Sequence, residues 1–159
     1  MTDSSSYTKS YLTFTLGDEL FALSALKVLE IIEFPDVTFV PNSPQNLLGL
    51  INLRGEVLPL IDTRQHFNMP KEDDYSQKSV TILELQIEGE QVKVGSVMDE
   101  VLNVLEVRPD EVKLPAFKET EYKTEFICGT FEYKDQLYRM IDTDKVFSVE
   151  EITLTKNDN

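Results

Sequence analysis

One cysteine, Cys128, and one histidine, His66, are the whole supply of thiol and imidazole in this 159-residue chain. A single cysteine closes no internal disulfide, so the fold asks for no oxidising compartment, and no zinc-ligand spacing surrounds it. Cys128 lies in a strand-like apolar run and reads as a small buried hydrophobe rather than a reactive thiol. His66 stands beside Phe67 at the end of a short helical turn, with no residue in the pattern to partner it in catalysis. The phosphate-cradling G-x-x-x-x-G-K-S/T, the dinucleotide G-x-G-x-x-G, the nucleophile elbow G-x-S-x-G and the EF-hand loop are all missing. The carboxylates that are present pair as sequence neighbours, Asp73-Asp74, Asp99-Glu100 and Glu150-Glu151. Neighbours on a strand point to opposite faces, so these pairs read as solvated surface rather than an acid/base couple. No catalytic residue, metal site or cofactor is expected.

Positive charge is also short: 15 Lys and Arg against 29 Asp and Glu leave a net charge of -14. Phosphate contacts need clustered cations, so nucleic acid and anionic lipid are poor partners for this surface. No apolar run approaches the roughly 20 residues of a membrane span, and the first ten residues form neither part of a secretory signal. A soluble cytoplasmic protein is expected, reaching a membrane only through a partner.

What the chain does have is short alternating runs cut by Gly and Pro. Leu12, Phe14 and Leu16 alternate with Tyr11, Thr13 and Thr15, the period of a half-buried strand. Leu20 to Leu23 continues as a strand, Ser24 can cap a helical turn, and Leu29 to Phe34 is rich in β-branched residues. Val37 to Val40 reads as a strand, and Pro59 predicts an edge position or bulge for its own strand. Hairpins are predicted at Glu88-Gly89-Glu90 and Lys134-Asp135, with Asp142 capping a short C-terminal helix. Residues 1–9 and 151–159 read as polar tails. No internal repeat is strong enough to read by eye, although each half has a hairpin and a terminal helical turn. The strongest single feature is Leu50–Leu53 and Val57–Ile61 around Arg54-Gly55-Glu56, a hairpin that holds one arginine outward. A planar five-donor cation on a stiff turn suits recognition of a partner's carboxylate or carbonyl. These strands predict an all-β barrel or sandwich.

The sequence resembles the CheW family, the adaptor of bacterial chemotaxis, over about residues 11–148. The likeness rests on Tyr-Leu-Thr-Phe-Thr-Leu-Gly-Asp-Glu (11 to 19), Leu-Lys-Val-Leu-Glu-Ile (26 to 31) and Pro-Asn-Ser-Pro (41 to 44). It peaks at Gly-Leu-Ile-Asn-Leu-Arg-Gly (49 to 55) with Pro-Leu-Ile-Asp (59 to 62), and continues in Val-Met-Asp-Glu-Val (97 to 101). The resemblance implies two small five-stranded SH3-like β-barrels sharing a hydrophobic interface, the first at about 20–78 and the second at about 79–150 plus the strand 10–16. It implies a non-enzymatic adaptor linking the cytoplasmic tips of transmembrane chemoreceptors to the regulatory domain of a histidine autokinase. By the same resemblance Arg54, Glu30 and Val28 serve receptor coupling, with Arg54 and Glu30 able to pair. Val37, Phe39, Leu58, Leu60 and Phe117 are the expected kinase contacts. The chain departs from the family at Ser24-Ala25, which bears on receptor preference, and along Lys118 to Lys123. The alternatives are a similar scaffold in a non-flagellar signalling system and, as a different class, a small β-barrel enzyme or ligand-binding domain.

Overall fold

Apolar alternation and tight reversals produce ten strands among the residues described by the structure, a computed structural model covering 7–43, 46–114 and 126–147. In chain order they are β1 (Lys9–Leu16), β2 (Glu19–Ser24), β3 (Val28–Glu33), β4 (Leu47–Leu53), β5 (Glu56–Asp62), β6 (Ser79–Ile87), β7 (Glu90–Met98), β8 (Glu100–Val107), β9 (Ile127–Tyr133) and β10 (Gln136–Ile141). Among the described residues, short helical turns form at Ala25–Lys27, Thr63–Phe67, Pro109–Glu111 and Thr143–Val146. The expected caps form: Ser24 Oγ accepts from Leu26 N at 3.3 Å, and the Asp142 carboxylate accepts from Asp144 N at 3.1 Å.

The strands make two five-stranded sheets, ordered β8-β1-β2-β10-β9 and β3-β6-β7-β5-β4. In each, a central hairpin (β1-β2 or β6-β7) runs parallel to the second strand of another hairpin (β9-β10 or β4-β5). The remaining edge strand, β8 or β3, pairs antiparallel with the first strand of the central hairpin. In each sheet one residue of the segment that follows one edge strand, β3 or β8, then bridges to the opposite edge strand, β4 or β9. Thr38 and Leu50 exchange hydrogen bonds of 2.9 and 2.8 Å, and Lys113 and Thr130 exchange two of 2.8 Å.

The two sheets therefore repeat one plan, and a faint sequence repeat follows it. Ile61-Asp62-Thr63 recurs as Ile141-Asp142-Thr143, and Phe67 as Phe147. Asp62 and Asp142 cap the turns that follow them in the same way. Gly49 and Gly129 also correspond. A Cβ on Gly49 would lie 2.6 Å from Val37 Cγ1 and on the Thr38 carbonyl, and one on Gly129 would lie 2.8 Å from Val112 Cγ1. The repeat escapes direct reading because caps, turns and close approaches keep their residues, while core positions need only an apolar volume.

The largest buried cluster spans both sheets: Phe14, Phe21, Ile127 and Ile141 of one sheet meet Leu47, Ile61, Leu83 and Met98 of the other. Each sheet also has a smaller core of its own, around Leu60, Val80 and Val97 in one and around Phe131, Tyr138 and Met140 in the other. Burying side chains such as Phe14 and Phe21 stabilises by about 1.5–3 kcal/mol each, which ties the sheets into one folding unit.

Several expectations are corrected. A boundary at residue 78 would cut β6 and β7 from the strands they pair with, and β2 belongs with β1. One sheet, β3 to β7, is inserted whole between β2 and β8 of the other. Val37 to Val40 contributes a single bridged residue rather than a strand. Pro59 is buried in β5, which lies between β7 and β4. The parallel ladder with β7 covers only Leu60, Ile61 and Asp62, so the missing donor of Pro59 falls just outside it. Cys128 is exposed, since strand alternation turns it away from buried Ile127 and Gly129; burial of the sulfur still pushes its thiol pKa up, and the sulfur donates to the Met140 carbonyl at 3.6 Å.

Candidate functional site

Arg54 sits at φ 50° and Gly55 at φ 85°, so the β4-β5 hairpin reverses through two residues of the left-handed region. Gly55 N donates to Asn52 Oδ1 at 3.0 Å, which stiffens the turn. From this tip the guanidinium reaches β3 and grips Glu30 in a fork: Nη1 donates to Oε2 at 2.9 Å and Nη2 to Oε1 at 2.7 Å. The side chains are 66% and 33% exposed, so the pair contributes at most about 1 kcal/mol to folding. Its consequence is geometric: it holds a planar cation and a carboxylate in one fixed plane at the surface, with further guanidinium donors left for a partner. Val28, two residues before Glu30 on β3, is half-buried against the main core. Along β3 the pattern inverts, with Leu29 and Ile31 exposed, and Leu26 protrudes from the preceding turn at 93% exposure. These are the aliphatic neighbours of Val28, which the family resemblance implies for receptor coupling together with it; a strand whose outward positions are apolar carries the same signal in the sequence.

A second surface lies past β3. Phe34, Val37, Phe39, Leu48 and Tyr75 floor an open groove of about 490 Å³, and Phe39 is 81% exposed. Gly49 allows this to form, because only a glycine lets β4 approach the backbone of Val37 and Thr38 so closely. The opposite wall is the segment that carries Lys71, Glu72, Asp73 and Asp74. Of the expected kinase contacts, Val37 and Phe39 thus come together, while Leu58 and Leu60 do not join them. Those two are 5% and 0% exposed in the core of their sheet, on the inward face of β5, and have no side-chain surface to offer a partner. Phe117 and the Lys118 to Lys123 segment lie outside the described residues.

The groove wall is fastened from behind by a buried polar network that sequence adjacency misread. Asp99, expected as solvated surface, has a side chain only 13% exposed, and it pairs with Arg64 and, at 3.0 Å, with Lys78. Arg64 and Lys78 also meet Glu72 at 3.3 and 3.2 Å. Burial pulls the Lys78 pKa down, but its contacts with Asp99 and Glu72 more than offset this. Tyr75 donates its hydroxyl to Asp62 at 2.6 Å and stacks on Phe34 with ring centroids 5.8 Å apart. Desolvation, reinforced by that hydrogen bond, pushes the Tyr75 phenol up to about 12. His66 is buried, its ring packed edge-on against Phe126 and Phe147, as a core side chain. Among the described residues no group of three His, Cys, Asp or Glu side chains is arranged to hold a metal ion.

Comparison with known proteins agrees with this geometry. Residues 10–151 match the sequence model of the CheW-like domain. A chemotaxis protein CheW of Klebsiella aerogenes is 33% identical over 150 residues, which cover 94% of this chain and 87% of that protein. Its counterpart in Treponema pallidum is 28% identical, with 91% of this chain and 85% of that protein covered. The crystal structure of scaffolding protein TtCheW from Thermoanaerobacter tengcongensis superposes with a TM-score of 0.77 at 28% identity, covering 91% of each chain.

Proposed function

The chain belongs to the CheW-like family of chemotaxis scaffold proteins, and from that premise we propose that it couples the cytoplasmic tips of transmembrane chemoreceptors to the regulatory domain of a histidine autokinase. It acts by touching both at once and performs no chemistry of its own. The observation that carries this reading is the presence of two unlike, preformed surfaces on one sheet: the exposed Arg54–Glu30 fork and the apolar groove under Phe39. The fork, with Val28 and the exposed aliphatic residues of β3 on the same strand, suits a helical receptor tip, which offers polar groups and apolar knobs together. The groove, with Val37 and Phe39 at its floor, suits a barrel edge of the kinase domain, where apolar contact supplies affinity. No helix among the described residues is long and apolar enough to cross a membrane; recruitment to receptor arrays then runs through the partners, from the cytoplasm.

The test is a titration of the full chain with a cognate kinase regulatory domain and, separately, with a receptor tip fragment. Binding to each is expected, and absence of binding to both overturns the reading.

A further inference from the structure

We propose that the groove under Phe39 selects a protein surface on which an apolar side chain is bordered by lysine or arginine. The inference rests on the kinase-docking reading above and adds the partner's chemistry to it. The floor accounts for the apolar part: Phe34, Val37, Phe39, Leu48 and Tyr75 form it, with Phe39 81% exposed. The wall accounts for the charged part. It carries three carboxylates, Glu72, Asp73 and Asp74, against one cation, Lys71. Glu72 is already neutralised from inside by Arg64 and Lys78. Asp73 and Asp74 form no ion pair among the described residues, and both are exposed on the groove side. Hydrogen bonds from the backbone N–H and hydroxyl of Ser76 hold the Asp74 carboxyl below its usual range, so it stays ionised.

The wall is also fixed in place, which separates it from an ordinary acidic loop. Glu72 is held by two cations, Tyr75 by the buried Asp62 carboxylate, and Lys78 N donates to the Tyr75 carbonyl at 2.9 Å. Asp73 and Asp74 lie between these anchors, so their charges keep a set position over an apolar floor. A cation that docks there meets carboxylates whose placement costs little further ordering entropy. An uncharged apolar knob would fill the floor and leave the wall solvated, and an acidic one would be repelled.

The test titrates the full chain with the kinase regulatory domain across a salt series from about 50 to about 500 mM. The wild type is expected to lose affinity steadily with salt. Asp73→Lys with Asp74→Lys should weaken binding about tenfold at low salt and flatten the salt dependence. Phe39→Ala should weaken binding while leaving the salt slope unchanged. If Phe39→Ala weakens binding and the double lysine variant does not, the groove is a docking site but the cationic partner chemistry is wrong. If neither variant changes kinase affinity, the kinase-docking reading of the groove itself falls. Self-association of the chain through Phe39, seen by sedimentation, would assign the groove to a second copy and overturn the proposal.

Discussion

Arg54 and Arg64 both face carboxylates, yet the side chain of the first is 66% exposed and that of the second 7%. Solvent screens the first pair, so Arg54→Glu should change the free energy of unfolding in denaturant by less than about 1 kcal/mol while abolishing receptor-tip binding. Adding Glu30→Arg should restore part of that binding; unfolding of the single variant would instead make Arg54 a structural residue. Arg64 is the opposite case. Removing it leaves Asp99 and Glu72 facing each other's charge with only Lys78 between them, so Arg64→Met should cost about 3–5 kcal/mol in the same assay. Tyr75 adds a pH signature. Its folded phenol titrates at about 12 against an ordinary 10.0, so its contribution is complete below pH 10 and is lost as pH rises toward 12. Tyr75→Phe should therefore lower stability at neutral pH and show a smaller further loss between pH 10 and 12. An identical alkaline profile in both proteins would separate the phenol from Asp62.

The hairpins were legible in the sequence because each needs a special backbone at its tip. Gly89 at φ 81° and Lys134-Asp135 at φ 49° and 63° stand where turn residues were read. The Asp142 and Ser24 caps were legible for the same reason: a short polar side chain before a helical turn has one common use. Elements set by tertiary approach were not. Val37–Val40 looks like a strand by composition, but only Thr38 finds a partner, and Gly49 decides that it can. Gly49→Ala should push the segment away from β4, cost about 1–3 kcal/mol, and weaken kinase binding more than receptor binding. Equal loss of both partners would show that the glycine serves the whole sheet rather than the groove.

At the scale of the molecule, the all-β class and the family were readable, and the pairing of the sheets was not. Strand alternation says which residues share a face, but not which sheet that face closes. That is why Leu58 and Leu60, apolar in a strand beside the arginine tip, looked like contacts and proved to be core. The acidic wall was invisible for a related reason: composition marks Asp73 and Asp74 as part of a polar loop, and only the side-chain contacts of Arg64, Lys78 and Asp62 with Glu72 and Tyr75 fix the segment around them. The repeated plan gives the other sheet a corresponding place, where Val112, Leu114 and Cys128 occupy the positions of Val37, Phe39 and Leu48. The stretch that would correspond to the polar wall, about 151–154, lies outside the described residues.

The most direct test is sedimentation of the chain with a receptor-tip fragment and the kinase regulatory domain together. One complex containing all three is predicted, with Arg54→Glu releasing only the receptor fragment and Phe39→Ala only the kinase domain. Mutually exclusive binding, or release of both partners by either substitution, would contradict a scaffold that works through two separate preformed surfaces.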